Sequence, residues 1–245
     1  MAKIIQKDNG LNEKYKEYKN TSYICYGTGI FCFALSLIFI SELKMSSFAI
    51  ISLGMAAMMV CGKILQQKAS GLKSGVEGEN ITAQLISTLP EGYYAFQNLT
   101  VTYDGKPSEI DMVVVGKSGV FIVETKNHSG LITGYYDNPQ WAQNKIGKGG
   151  TPYTNSFYNP VKQVGTHVYR LANYLRQKGI DVHVNALVYF ANPGTSLDIN
   201  DMQPQIPIFC ASSNGASEIL GHIMNTNKEL SNETVVAICN TLYNI

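Results

Sequence analysis

The stretch Glu109–Asn127, E-I-D-M-V-V-V-G-K-S-G-V-F-I-V-E-T-K-N, constrains the fold of this chain more than any other. Two β-branched and aromatic runs, Ile110–Val115 and Val120–Val123, flank Gly116-Lys117-Ser118-Gly119, which is turn chemistry. Pairing Val115 with Val120 predicts an antiparallel hairpin with Asp111 opposite Glu124 and Glu109 opposite Lys126. Period-2 alternation puts these four on one face with Val113, Val115, Val120 and Ile122. Ile110, Met112, Val114, Phe121 and Val123 fall on the other face, which reads as core. Opposed carboxylates on one sheet face repel each other. A hard divalent cation resolves the conflict by taking their oxygens. A lysine one strand step away completes an Asp…Glu-x-Lys set suited to activating water on a phosphodiester. The plain alternative is a surface sheet face with cross-strand ion pairs, which Glu109 and Lys126 fit.

That set resembles the metal site of the restriction-endonuclease-like nucleases, an Asp and a Glu-x-Lys on neighbouring strands. In order along the chain, G-V-E-G-E at Gly75–Glu79, E-I-D at Glu109–Asp111, G-V-F-I-V-E-T-K-N at Gly119–Asn127, Gly130, Trp141, Asn159-Pro160 and Gln163 resemble the NERD, or nuclease-related, domain of bacterial proteins. The resemblance spans residues 74–190. It implies an α/β fold, a restriction-endonuclease-like mixed β-sheet flanked by helices. It also implies Mg²⁺ or Mn²⁺ bound by Asp111, Glu124 and the Thr125 carbonyl. Lys126 would orient or deprotonate the attacking water, or stabilise the transition state. Glu79 would be a helix acid aimed at the metal, against its ordinary reading as a first-turn acid favoured by the helix dipole.

Two further stretches bear on the domain's extent. Tyr23–Ile40 and Met45–Gly62 are free of charge, each just long enough to span a bilayer. Small residues in both (Gly27, Gly29, Ala34, Ser36; Gly54, Ala56, Ala57) suit close helix packing. Ser41–Lys44 leaves room only for a tight turn. Lys14, Lys16 and Lys19 precede the pair and Lys63, Lys68 and Lys73 follow it, which predicts cytoplasmic termini. The expected organisation is a cytoplasmic segment 1–22, a transmembrane hairpin 23–62, a linker 63–74 and a nuclease-related domain 75–245. A helix is expected from a capping box at Ser74 to about Leu89, then strands at 93–99, 110–115, 120–123 and 131–136. Residues 138–158 read as a long loop. Asn159-Pro160 opens a helix with the core stripe Val161, Val164, Val168, Leu171 and Leu175. Strands at 182–190 and 206–210 and two closing helices, 216–225 and 231–243, complete an α/β domain.

Charge divides along the chain. Residues 1–75 hold nine lysines and four acids, and residues 76–245 hold ten Lys or Arg and fourteen acids. An acidic domain does not read as a strong non-specific nucleic-acid binder. Pro139–Lys178 is the exception. It has six basic residues and no acid, interleaved with Trp141, Tyr153, Phe157, Tyr158, Tyr169 and Tyr174. Lys145, Lys148 and Arg170 are the expected nucleic-acid contacts, and Gln163 the residue that helps place the scissile phosphate. Gln163, His167, Arg170 and Tyr174 also fit a solvated helix stripe, and Trp141 fits the core. The five cysteines have neither zinc spacing nor a disulfide pattern. The expected function is a membrane-anchored, Mg²⁺-dependent nuclease at the cytoplasmic face, with DNA the expected substrate and a lipid bilayer the other partner. The alternatives are a membrane-tethered nucleic-acid-binding or scaffold module without turnover, and a hydrolase of small nucleotides.

Overall fold

The computed structural model describes residues 1–7, 10–39, 44–147, 149–200, 205–226 and 229–245. In chain order the elements are β1 (Lys3–Gln6), α1 (Gly10–Ile38), α2 (Met45–Ser87), β2 (Tyr94–Tyr103), β3 (Lys106–Gly116), β4 (Gly119–Lys126), β5 (Gly130–Tyr135), β6 (Gln140–Ile146), β7 (Pro152–Tyr158), α3 (Pro160–Gln177), β8 (Val184–Phe190), β9 (Thr195–Asn200), β10 (Ile208–Cys210), α4 (Gly215–Met224) and α5 (Asn232–Tyr243). They divide into two compact units, one of residues 1–8 and 77–245, the other of residues 9–76.

The larger unit is α/β and holds two mixed sheets. Six strands run in the order β1-β2-β3-β4-β8-β10, and four in the order β7-β6-β5-β9. The central hairpin has the expected register, Val115 with Val120 and Gly116 with Gly119. Its ladder stops at Met112–Val123, and β4 continues against the parallel β8, Glu124 beside Val188 and Lys126 beside Phe190. β2 and β3 turn through Asp104-Gly105, both at positive φ (52° and 67°) as a two-residue hairpin demands.

Three expectations need correction here. Both faces of the central hairpin are core, not one. Val113, Val115, Val120 and Ile122 are buried with α3 and α5 residues, while Met112, Val114, Phe121 and Val123 pack with Ile86 of α2 and Ile219 of α4. Strands in the middle of an α/β sheet are covered on both sides. Ile110 joins the Val113 cluster, not the Met112 cluster, because alternation breaks beside it. Asn98 takes φ 57°, and the β2–β3 ladder skips the pair between Gln97–Met112 and Leu99–Ile110. Asp111 sits at that break. Lastly, the expected loop 138–158 is the hairpin β6–β7, and β1 and β9 are strands no pattern announced. Trp141 is core, 1% exposed, stacked on Phe190 with its Nε1 donating to Tyr135 O at 2.9 Å.

Helix α3 starts as its sequence demands, the Asn159 side chain accepting from Val161 N with Pro160 next. Val161, Val164, Leu171 and Leu175 are buried and Val168 is partly so.

In the smaller unit, α1 and the first part of α2 are long and apolar enough to cross a membrane. Their apolar side chains stay exposed, among them Ile24, Phe31, Ile38, Ile50 and Leu53, while Ser22, Gly29 and Ser36 are buried. A Cβ on Gly29 would lie 3.2 Å from Met58 Cβ, so small residues set the spacing here. No linker interrupts α2 at 63–74, and no helix starts at Ser74. A polar stretch without proline changes what a helix faces but does not end it, and Gly71 only weakens it. Ser41–Leu43 of the expected turn lie outside the described residues.

Candidate active site

The site is built where β3 and β4 part. Beyond Val123 the two strands no longer pair, and the Asp111 carboxylate accepts the backbone N–H of Thr125 at 2.8 Å. Glu124, wholly buried, faces the same side as Val120 and Ile122, toward α3. Its Oε1 accepts from Lys126 Nζ at 2.7 Å, and the same ammonium donates to Gln163 Oε1 of α3 at 3.0 Å. Lys126 thus ties the strand end to the first turn of α3. On the other side α2 comes in close at Gly78, where a Cβ would lie 2.6 Å from Asn127 Cβ. That approach lets the Thr125 hydroxyl donate to Thr82 Oγ1 at 3.1 Å, and Thr82 to Gly78 O at 3.0 Å. Glu79, one residue on, is 7% exposed and near enough for its charge to act on Asp111.

The electrostatics follow from burial with few counter-charges. Burial, then Glu124, push the Asp111 carboxyl well above the usual carboxylate range, against the pull of Lys126 and the Thr125 N–H. Burial also works against ionised Glu124, but Lys126 and His167 outweigh it and hold that carboxyl below its ordinary value. Lys126 is held above its ordinary value, because Glu124 and Asp111 outweigh the desolvation of its ammonium. At neutral pH it is a cation.

Residues 74–191 match the NERD family, the nuclease-related domain. This region is similar to the nuclease-related domain from the end of α2 through β8. An uncharacterized protein of Bacillus anthracis is 38% identical over 96 residues, which make up 38% of this chain and 43% of that protein. The chain therefore covers less than half of that relative's length. No solved structure matches the chain.

Within the matched region, Asp111, Glu124, Thr125, Lys126 and Gln163 come together as described, with Glu79 near Asp111. The surface ion pair between Glu109 and Lys126 does not form. Glu109 is exposed and pairs with Thr100 of β2, while Lys126 turns to Glu124 and Gln163. Lys145 lies on β6, and Lys148 is outside the described residues. The Arg170 guanidinium donates to Pro107 O at 2.6 Å, which gives it a partner within the protein.

His167 is not on a solvated stripe. It is 7% exposed, its Nδ1 2.6 Å from Ser108 Oγ and its Nε2 3.4 Å from Glu124 Oε2. Sequence spacing offered no Ser-His-acid set, yet space makes one. It is not a nucleophile's triad, because Ser108 is only 3% exposed and so closed to a substrate. The set places the His167 ring 3.4 Å from Glu124 Oε2, a longer approach than the hydrogen bond that Lys126 makes to Oε1. The one signal in the sequence was the i, i+4 spacing of Gln163 and His167.

Among the described residues no group of three or more His, Cys, Asp or Glu side chains is gathered as a metal site. Mg²⁺ does not need one. It takes one or two carboxylates and fills its octahedron with water and phosphate oxygens. Asp111, Glu124 and a backbone carbonyl are hard oxygen donors of that kind. The clearest sign of fit is Glu124 Oε2, which is buried and makes no hydrogen bond among the described residues, with only the longer 3.4 Å approach of His167 Nε2.

Proposed function

We propose that this NERD-like domain is a divalent-metal-dependent nuclease, with DNA its expected substrate, held to the cytoplasmic face of a membrane by α1 and α2. The observation that carries the reading is a half-buried lysine fastened between Glu124 and Gln163, beside an Asp111 whose ionised form lacks enough counter-charge. Asp111, Glu124 and the Thr125 carbonyl would hold Mg²⁺ or Mn²⁺. When bound, such an ion supplies a more acidic water and charge stabilisation at a phosphoryl oxygen. Without the metal, Glu124 and Asp111 hold the Lys126 ammonium above its ordinary pKa, which favours a role in orienting water or donating to a phosphoryl oxygen. Gln163 fixes the Lys126 ammonium and helps place the phosphate.

The membrane reading is supported by two apolar helices, many of whose large side chains are exposed, and by the lysines that flank them.

A second reading, a tethered binding module without turnover, draws on the acidic balance of residues 76–245. Both are tested with the full chain in mild detergent, on single- and double-stranded DNA and RNA, with Mg²⁺, Mn²⁺ or EDTA. Cleavage that needs the metal and is lost in Asp111→Asn and Glu124→Gln is the expected result. Binding without cleavage under every metal condition would replace the nuclease by the module. For the anchor, recovery without detergent, or digestion of the C-terminal unit by protease added to intact cells, would refute it.

A further inference from the structure

The hairpin β6–β7 presents an inward face that continues the site. Its cross-strand pairs on that face are Trp141–Phe157, Gln143–Asn155 and Lys145–Tyr153. At the base, Trp141 and Phe157 pack edge to face at 6.4 Å as part of the core. In the middle, Gln143 is 4% exposed and donates to Ser129 O at 2.8 Å. At the tip the face opens, and Tyr153 is 45% exposed opposite Lys145. His128 fills the space between this face and the strand end. Its ring lies 4.5 Å from that of Phe157. Burial, then the charges of Lys126 and Lys145, lower its pKa to about 4, so the ring is neutral at physiological pH. The start of β5 is held against β6 at Gly130, which has φ 90° and where a Cβ would lie 2.4 Å from Asn144 O. The hairpin is therefore packed closely against the start of β5, four residues beyond Lys126.

We propose that the tip of this face, Lys145 with Tyr153, holds the nucleotide next to the scissile phosphate, and that the substrate is therefore single-stranded or locally unpaired nucleic acid. This rests on the nuclease reading of Asp111, Glu124 and Lys126. An exposed tyrosine ring stacks on the face of an unpaired base, and a duplex keeps those faces covered. The cation opposite the ring takes the phosphate of the same nucleotide. The charge of the domain points the same way. Residues 76–245 carry more acids than bases, so long-range attraction to a duplex backbone is weak and stacking must supply affinity.

The test is equilibrium binding by the full chain in detergent with EDTA, where no cleavage occurs. The probes are a short fluorescein-labelled oligothymidylate and a labelled duplex of the same length. Wild type should prefer the single strand. Tyr153→Ala should weaken single-strand binding ~10-fold, within the range for loss of one stacked base, and Tyr153→Phe should bind like wild type. Lys145→Gln should reduce the slope of log affinity against log salt by about 0.7, the share of one phosphate on a single strand. Tyr169→Ala, which removes a 61% exposed tyrosine from α3, is the control and should change nothing. Equal affinity for duplex and single strand, or wild-type binding by a folded Tyr153→Ala, would overturn the proposal while leaving the nuclease site standing. Absence of any nucleic-acid binding by wild type would bring down both.

Discussion

Replacing Lys126 by Met tests whether the site is as dry as its contacts imply. The substitution keeps the stem and removes the ammonium that stands 2.7 Å from Glu124 Oε1 and 3.0 Å from Gln163 Oε1. Were the pair on the surface, its loss would cost at most ~1 kcal/mol. It is not on the surface. The Glu124 side chain is 1% exposed and that of Lys126 18%. Removing one partner of a buried pair leaves a charge in a poor solvent, which costs about 3–5 kcal/mol. That is a large share of the ~5–15 kcal/mol that holds a domain folded, yet it leaves the chain native. Lys126 is therefore expected to matter for folding as well as for chemistry.

The pH dependence gives the sharper signature. In wild type the Glu124 carboxyl lies below its ordinary value, so its contribution is present at neutral pH and is lost as pH falls through its folded pKa. Without Lys126, burial is opposed by His167 alone and the folded pKa rises above the unfolded one. Ionised Glu124 then costs stability at high pH, and acid relieves it by ~1.4 kcal/mol for each unit of the shift. The deficit of Lys126→Met against wild type should thus be largest near pH 8 and shrink toward pH 5. Trp141, the single tryptophan, is buried in this unit, so its fluorescence during urea unfolding in EDTA reports the relevant transition. A deficit below ~1 kcal/mol that stays flat from pH 5 to pH 8 would mean that Lys126 is a screened surface cation, and the site's electrostatics would need redrawing. Cleavage by the same variant should fall ~100-fold or more, the scale of one positioned charge-stabilising donor.

Other variants probe neighbouring features. Asp111→Asn removes a carboxylate whose folded pKa is raised, so in EDTA it should melt higher than wild type at neutral pH, with the gain fading toward acid, while calorimetry shows weaker Mn²⁺ binding. His167→Ala should lower Mn²⁺ affinity ~10-fold, as loss of a group behind a metal ligand does, and His167→Gln should recover part of it; unchanged affinity in a folded His167→Ala would make the Ser108–His167–Glu124 row purely structural. Gly78→Val must push α2 from β4 by about 1 Å, since its Cβ would stand 2.6 Å from Asn127 Cβ; a cost of ~1–3 kcal/mol and a ~100-fold loss of cleavage are expected, and a melting curve with a single-turnover rate checks both.

What could be read in the sequence, and what could not, divides along physical lines. The β3–β4 register was legible because a Gly-Lys-Ser-Gly turn between β-branched runs admits one symmetric pairing, and that pairing set Asp111 toward Glu124 before any coordinate. The capped start of α3 was legible because Asn-Pro does one job there. Strands β6 and β7 were not, because their inward residues include Gln143 and Asn155, so the alternation is of side-chain environment and not of hydropathy. Strict alternation misplaced Ile110 because one residue, Asn98 at φ 57°, turns both neighbouring strands over. The boundary at 63–74 was drawn where composition shifts, yet backbone continuity depends on hydrogen bonds that polar residues satisfy as well as apolar ones. His167 was hidden because its partners, Ser108 and Glu124, lie 59 and 43 positions away, a closeness that only the fold creates.

Strand β1 links the domain to the membrane reading. It pairs in parallel with β2, Ile4 and Ile5 packing into the clusters on opposite faces of the sheet, and the Lys7 ammonium donates to Tyr243 O at 2.6 Å. The first residues of the chain are therefore part of the same folded unit as residues 77–245. Two strands of one sheet cannot lie on opposite sides of a bilayer, because every rung between them would have to form in hydrocarbon. On the proposed membrane reading, the chain between Gln6 and Tyr94 crosses an even number of times. Two candidate helices occupy that interval, and a pair satisfies the parity where a single span would not. On the same reading, the lysines before Tyr23 and after Gly62 would favour the cytoplasmic side for both ends together. On that proposal the sheet asks only that both ends share a side, and the charge pattern is what would name the side.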